Sequence, residues 1–335
     1  MEISQYSLQK QKKLALQAFA SSTLSTYGTG LARYYDYCNT INLPEVHRAP
    51  CSTETVGGFI AFLSGTYSRT TINNFLAAIK AWHNVNLLPY NVNDNIINTL
   101  LCGALRMQPL PRPKREPITM DYLTRILKQL NLSNPEQAAV ASCLTTVFYC
   151  CARLGEFTVP SFKAFNAQNY ITISGVSFQK DRYFNKVTAF RVPHTKTSPN
   201  GETLFWASQN SETNPQFFLL NHLQVNEPKP HEHLFAFKTH NGKLPLTRNI
   251  FLRNIKFTSE KANIPFLTGH SLRIGSTLEY LLRGIPFEVV KQIGRWTSNS
   301  FTLYLREHGR ILAPYLQSNP IIHSEYLEYS HILLR

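Results

Sequence analysis

Gly269-His270-Ser271-Leu272-Arg273, then Gly294-Arg295-Trp296, then Tyr304-Leu305-Arg306: this stretch decides the fold, together with an Arg153-Leu154-Gly155-Glu156 box well upstream. Breaking a phosphodiester requires a nucleophile, positive charge on the non-bridging oxygens and a proton for the departing oxygen. Arginine suits the second role, because its planar fork matches phosphate geometry and stays charged. Arg153 and Arg273, distant in sequence, can hold one phosphate from two sides. His270 and Arg273 are three apart at a helix start and therefore share a face. Tyr304 is one of sixteen tyrosines, and a phenol with a pKa of about 10 needs base and positive charge beside it to act as a nucleophile. Singly, each residue has a plainer reading: His270 as a helix-terminal histidine, Arg153 as the partner of Glu156, Tyr304 as core.

Outward from this stretch, residues 118–335 read as mixed. Thr119 opens a helix holding Leu123, Ile126, Leu127 and Leu130, and an apolar helix from Gln137 to about Ala152 delivers Arg153. Tyr170 to Phe178 and Lys186 to Pro193 read as short strands, with Lys196 following in the turn-rich His194 to Gly201. Helices resume at Asn249. Residues 109–117 hold four prolines with Arg112, Lys114 and Arg115, a basic extended linker at a domain boundary. Residues 1–108 read as all-helical: Leu14 to Tyr35 recur at helical spacing, Thr53 caps a helix to Leu63, Thr70 or Thr71 opens another ending before Pro89, and Asp94 to Met107 is a fourth. The fold class is mainly α with a small β-sheet.

The chain has 335 residues and a net charge of +14. Residues 1–108 carry 8 Lys/Arg against 5 Asp/Glu, and residues 109–335 carry 26 against 15. The surplus favours a polyanionic partner. No run of about 18 apolar residues is present, so no membrane span is expected, and the first residues lack a signal-peptide layout. Six cysteines without C-x-x-C spacing suit a reducing, intracellular setting. His231, His233 and His240 lie together without a nearby cysteine, a weak metal pattern, so no metal is expected. With no Walker loop and no magnesium-chelating acidic triad, no small-molecule cofactor is expected either.

The ordered set Arg153, Lys196, His270, Arg273, Trp296 and Tyr304 resembles the catalytic signature of the tyrosine recombinases. Gly294-Arg295-Trp296-Thr297-Ser298 before the tyrosine is most similar to the enzymes of Crypton and DIRS-like eukaryotic mobile elements. The Ser25-Thr26-Tyr27 opening, the helix from Thr70 to Asn74 and Leu101 to Arg106 resemble that group's helical core-binding domain. The resemblance implies a SAM-like helical domain over 1–108, the linker 109–117, and an α+β catalytic domain with a helical tail over 118–335. It implies that Arg153 and Arg273 bind the scissile phosphate and that Tyr304 attacks it to give a 3′-phosphotyrosyl link. Lys196 then protonates the leaving 5′-oxygen, His270 handles the tyrosine proton, Trp296 holds a phosphate oxygen or packs the site, and Glu156 supports the first arginine or the histidine. Lys180 and Lys186 stand as alternatives to Lys196. Many bacterial members have histidine at the position of Trp296, and the spacing of eight to Tyr304 is one shorter than in many relatives.

Double-stranded DNA is the partner so implied, gripped by both domains, with Lys80, Arg112, Lys114, Arg115 and Lys291 as candidate contacts and salt-dependent affinity. The resemblance also implies a tetramer on synapsed DNA, a nuclear location, and integration or excision of a mobile element. The apolar residues after Tyr304, among them Ile311 and Tyr315, either pack on a neighbouring subunit or fold back on their own domain. Three other readings compete. A type IB topoisomerase shares the chemistry, but its usual Ser-Lys-x-x-Tyr is here Ser300-Phe301-Thr302-Leu303-Tyr304. The others are an element-derived DNA-binding protein without catalysis and a helical protein scaffold.

Overall fold

The structure is a computed structural model that describes residues 5–110, 113–195 and 198–297, with residues 302, 309 and 311. It divides into two compact units, Met1–Pro113 and Lys114–Arg335. In the first, α1 (Gln5–Gln17), α2 (Ser21–Thr40), α3 (Thr53–Leu63), α4 (Arg69–Val85) and α5 (Asp94–Met107) form a helical unit. Its core includes Tyr34, Phe59, Ile60, Leu63, Ile72, Phe75, Ile79 and Leu101. The caps lie one to three residues earlier than the sequence suggests. Ser52, not Thr53, accepts the Thr55 amide and opens α3, and Ser68 accepts that of Thr71 and opens α4. In both cases a serine immediately before the apolar face satisfies an otherwise orphaned N–H.

The second unit is built on α7 (Pro135–Tyr149), in which every residue from Ala138 to Tyr149 is buried. A helix apolar all round must be covered on all sides, and the small residues Ala138, Ala139, Ala141, Ser142 and Cys143 suit close neighbours. Those neighbours include α8 (Pro215–Asn226), α9 (Arg248–Lys261) and α10 (Gly269–Leu282). Two more helices, α6 (Met120–Gln129) and α11 (Phe287–Ile293), complete the described helices. The strands β1 (Val176–Lys180), β2 (Lys186–Val192) and β3 (Glu202–Ala207) make an antiparallel sheet in that order, and β4 (Phe237–Thr239) pairs with β5 (Gly242–Leu244).

The mainly helical class with a small sheet is therefore what the sequence indicates, but several boundaries move. The first strand begins at Val176 rather than Tyr170, and β3, the β4–β5 pair and α8 were not expected. Ile311 is buried against Leu278, Leu281 and Val290, so at that point the chain lies on its own unit. The rest of the apolar tail lies outside the described residues. Among the described residues, no helix is long and apolar enough to cross a membrane.

One crossing positions the site directly. The Ile118 amide donates to the carbonyl of Ser271 (3.0 Å), so the segment entering α6 lies across the first turns of α10. Gly275, one turn on, permits the approach: a Cβ there would lie 1.9 Å from the Ile118 carbonyl oxygen. The obstacle is backbone and cannot rotate away. Gly275→Ala is expected to destabilise the protein by at least about 1–3 kcal/mol, read as a lower urea midpoint; an unchanged midpoint would refute the close crossing.

Candidate active site

Arg153 reaches the site because of how α7 ends. Cys150 caps the helix, Cys151 takes a left-handed conformation (φ 47°), and the amides of Cys151 and Ala152 return to the carbonyls of Phe148 and Val147. This is a Schellman closure with cysteine where glycine is usual. It turns the chain into the 3-10 segment Leu154–Glu156, at whose head Arg153 sits. The Glu156 carboxylate then folds back: one oxygen accepts the Arg153 backbone N–H (3.0 Å) and the other accepts Nη1 of the Arg153 side chain (3.0 Å).

The start of α10 packs onto this turn. A Cβ at Gly269 would lie 2.6 Å from Leu154 Cδ2, so any larger residue would require the leucine to move. His270 is exposed in the first turn, whereas Arg273, one turn later, is 1% exposed. Its Nη2 donates to the Gly294 carbonyl, and its guanidinium carbon lies 4.3 Å from the centre of the Trp296 ring. The Nε and Nη1 groups of Arg273 are buried without an acceptor among the described residues. Burial, joined by the charges of Arg153 and Arg295, pulls this guanidinium below its ordinary pKa, while the thiol of Cys151 works in the opposite direction. Such a group is costly to bury, and an anion brought to it would recover part of that cost.

Trp296 arrives through a second closure of the same kind. Gly294 ends α11, Arg295 takes the left-handed position (φ 58°), and the amides of Arg295 and Trp296 return to Gln292 and Lys291. A Cβ at Gly294 would meet the Trp296 ring at 1.6 Å. The tryptophan is buried beside Cys151, with Tyr280, Phe287 and Ile293 packed against the pair.

Arg295, to which the sequence motifs assign no role, bridges two carboxylates. Its Nη2 donates to Glu156 Oε2 (2.6 Å) and its Nη1 to Glu202 Oε1 (2.7 Å). Glu202 also accepts the hydroxyl of buried Thr195, and Thr195 accepts the amide of Ser198. Burial alone would raise the Glu156 carboxyl. Arg295, and then the hydrogen bonds from Arg295 and Arg153, more than offset it and hold the pKa below the ordinary value. The line Arg153–Glu156–Arg295–Glu202–Thr195 thus joins the arginine turn to the β2–β3 loop. A cleft of 510 Å³ lies beside it, lined by Arg153, Gly155, Glu156, Ala164, Asn169, Tyr170, His194 and Thr195.

Arg153, Glu156, Arg273 and Trp296 are thus brought together, with His270 at the head of the helix that carries Arg273. Lys196, Tyr304 and Arg112 lie outside the described residues. Lys180 and Lys186 are exposed and directly opposite one another across β1 and β2, at the end of the sheet away from Thr195, about 20 Å along the strand. Among the proposed DNA contacts, Lys80, Lys114 and Arg115 are exposed, and Lys291 pairs with Glu288 at 3.7 Å. His233 is buried, accepts the Phe235 amide and is driven down to about 3 by burial, which keeps it neutral. Among the described residues, no group of three or more His, Cys, Asp or Glu could hold a metal.

The depressed pKa of Glu156 gives a signed prediction. Its stabilisation is full above the unfolded-state value of about 4.3 and is lost as pH falls through the lower folded value. The difference in thermal midpoint between the protein and Glu156→Gln should therefore stay constant above about pH 5 and shrink in more acid solution. A difference that grows on acidification would contradict the pairing.

No protein-family model matches the sequence, and no curated protein matches it either. Solved structures do. The chain is similar to XerH site-specific recombinase bound to a palindromic difH substrate in a post-cleavage complex (TM-score 0.59, 15% identity, 94% of this chain and 85% of that one). The pre-cleavage complex of XerH with difH gives 0.55 at 14% identity over the same shares. A lambda integrase dimer bound to a COC′ core site gives 0.53 at 13% identity, over 92% of this chain and 79% of that one. At such identities the likeness is one of fold: helices with small antiparallel sheets and an N-terminal helical domain, as in these recombinases.

Proposed function

We propose that this chain is a tyrosine recombinase that cuts and rejoins double-stranded DNA at specific sites through a 3′-phosphotyrosyl intermediate, in the service of a Crypton or DIRS-like mobile element. One observation carries the reading: Arg273 is buried with its Nε and Nη1 lacking acceptors among the described residues, one helical turn from His270, near Arg153 and against Trp296. The site-specific recombinases of similar fold, whose structures hold DNA, support it.

In the proposed reaction the phenolic oxygen of Tyr304 attacks phosphorus while the bond from phosphorus to the 5′-oxygen breaks. The tyrosine proton passes to His270, and Lys196 protonates the departing oxygen. Arg153 and Arg273 neutralise the non-bridging oxygens, in a role where one lost donor costs about 2.7–4 kcal/mol. Trp296 shields and orients Arg273. Because the tyrosyl ester conserves the bond energy, rejoining is the same step reversed. Residues 1–108 serve as the core-binding domain, 109–117 as linker and 118–335 as the catalytic domain, and Lys80, Arg112, Lys114, Arg115 and Lys291 contact phosphates. The working assembly is a tetramer on synapsed DNA in the nucleus.

Trapping tests this directly. The protein, incubated with nicked duplexes tiled across the DNA flanking its gene, is expected to give an SDS-resistant adduct, and Tyr304→Phe none. Arg153→Ala should slow adduct formation by about 10²–10³-fold. Equal adducts from the protein and Tyr304→Phe would assign the wrong nucleophile. Relaxation of any supercoiled plasmid without strand exchange would make the chain a topoisomerase. DNA binding without an adduct on any duplex would favour the non-catalytic reading.

A further inference from the structure

The inner face of the three-stranded sheet continues past the core it covers. Phe190 and Trp206 on that face are buried, whereas Phe178, in the same cross-strand row as Thr188 and Trp206, is 57% exposed. One row further out, Lys180 and Lys186 lie directly opposite one another. Like charges so placed destabilise a sheet. Gln216 and Leu220, four apart on one face of α8, form the facing wall, and Leu220 is 48% exposed. Between hairpin and helix lies a groove of 550 Å³, whose lining includes Phe178, Lys180, Lys186, Gln216 and Leu220.

The turn that closes the hairpin is held by its own hydrogen bonds. The Asp181 carboxylate accepts the amides of Tyr183 (2.8 Å) and Asn185 (2.9 Å) and the side-chain amide of Asn185 (2.9 Å). That negative charge is engaged within the turn, while Lys180, Arg182 and Lys186 leave residues 180–186 positive. Exposed Tyr183 and Phe184 stand beside two of these cations, Arg182 at 4.8 Å and Lys180 at 5.9 Å from the ring centres. Large apolar groups exposed together mark interaction surfaces, and a turn already fixed loses little freedom on binding.

We propose that this groove docks a segment of another protein in which carboxylates alternate with large apolar side chains. The carboxylates pair with Lys180, Arg182 and Lys186 and relieve the repulsion between the lysines, and an apolar side chain fills the space between Phe178 and Leu220. Duplex DNA satisfies only the charges, because it offers no apolar side chain. The groove also lies at the end of the sheet away from Thr195, about 20 Å along the strands. A second copy of this chain is a poor match in charge, since residues 109–335 carry 26 Lys/Arg against 15 Asp/Glu. The inference goes beyond the proposed reaction and does not rest on it.

Fluorescence anisotropy of a labelled peptide, alternating Glu with Leu and Phe over about ten residues, tests the docking on the full chain. The peptide is expected to bind saturably, about tenfold more tightly than its counterpart with Gln for Glu. Lys186→Glu and Leu220→Ser should each weaken it by about tenfold or more. Lys256→Glu, the same charge change at an exposed position of α9, should alter it by less than about twofold. Where Leu220→Ser lowers the thermal midpoint, Phe178→Ser removes the opposite wall and supplies the same comparison. Equal weakening by Lys186→Glu and Lys256→Glu would mean general attraction to a basic protein and overturn the proposal. Binding that survives both Leu220→Ser and Phe178→Ser, or no saturable binding, would overturn it as well. An oligonucleotide that displaces the peptide, and binds less well to Lys186→Glu, would make the groove a nucleic-acid surface instead. Tighter binding by a peptide of residues 320–335, where Glu325 and Glu328 flank Tyr326 and Leu327, would reassign the groove to this chain itself and overturn the proposal.

Discussion

The arrangement depends on one buried carboxylate. Glu156 accepts from the backbone and side chain of Arg153 and from Arg295, and its two oxygens therefore set the direction of both arginines. A buried carboxylate is unstable alone and a buried guanidinium equally so. Together they neutralise each other, and Arg153 and Glu156 line the cleft beside them. Arg273, buried near them, adds a further positive charge. Among the described residues nothing accepts from its Nε and Nη1, and a phosphate diester has the charge and the acceptor oxygens to do so.

The scaffold that makes this possible is α7, a helix covered on every described side. Gly269 and Gly275 let α10 touch the Leu154 turn and the segment at Ile118. Two helices that end at the site, α7 and α11, close on Cys151 and Arg295 rather than on glycine, whereas α10 closes on Gly284 in the ordinary way. At Cys151 the side chain packs with Trp296, and at Arg295 it makes two charged hydrogen bonds. In both places strain in the backbone is offset by what the side chain contributes, a pattern associated with functional sites.

Much of this was legible from the sequence, for physical reasons. Local periodicity located α3 to α7 and α9 to within a few residues, because one apolar face or one continuous apolar run identifies each. It failed at α8, where Phe218 and Leu219 are buried while Phe217 and Leu220 are exposed, so consecutive apolar residues blur the face. It failed at β3 as well, where Leu204 and Trp206 point inward but exposed Phe205 breaks the alternation of polar and apolar residues. Strands of three residues, such as β4 and β5, carry no period at all. Arg153, Arg273 and Trp296 stood out by type and order. Arg295 did not, although it lies between Gly294 and Trp296, because its role is set by Glu202, 93 residues earlier in the chain. No local pattern encodes that pairing.

The central claim is that Arg153 and Arg273 neutralise the charge on a scissile phosphate. The most direct measurement replaces that phosphate, at the mapped cleavage position, with an uncharged methylphosphonate and compares Arg273→Ala with the unmodified protein. If the arginine serves to offset a non-bridging negative charge, the variant should be severely impaired on phosphate, by about 10²-fold or more, and nearly competent on methylphosphonate. An impairment of the same size on both substrates would mean that Arg273 only maintains the fold, and would contradict the account.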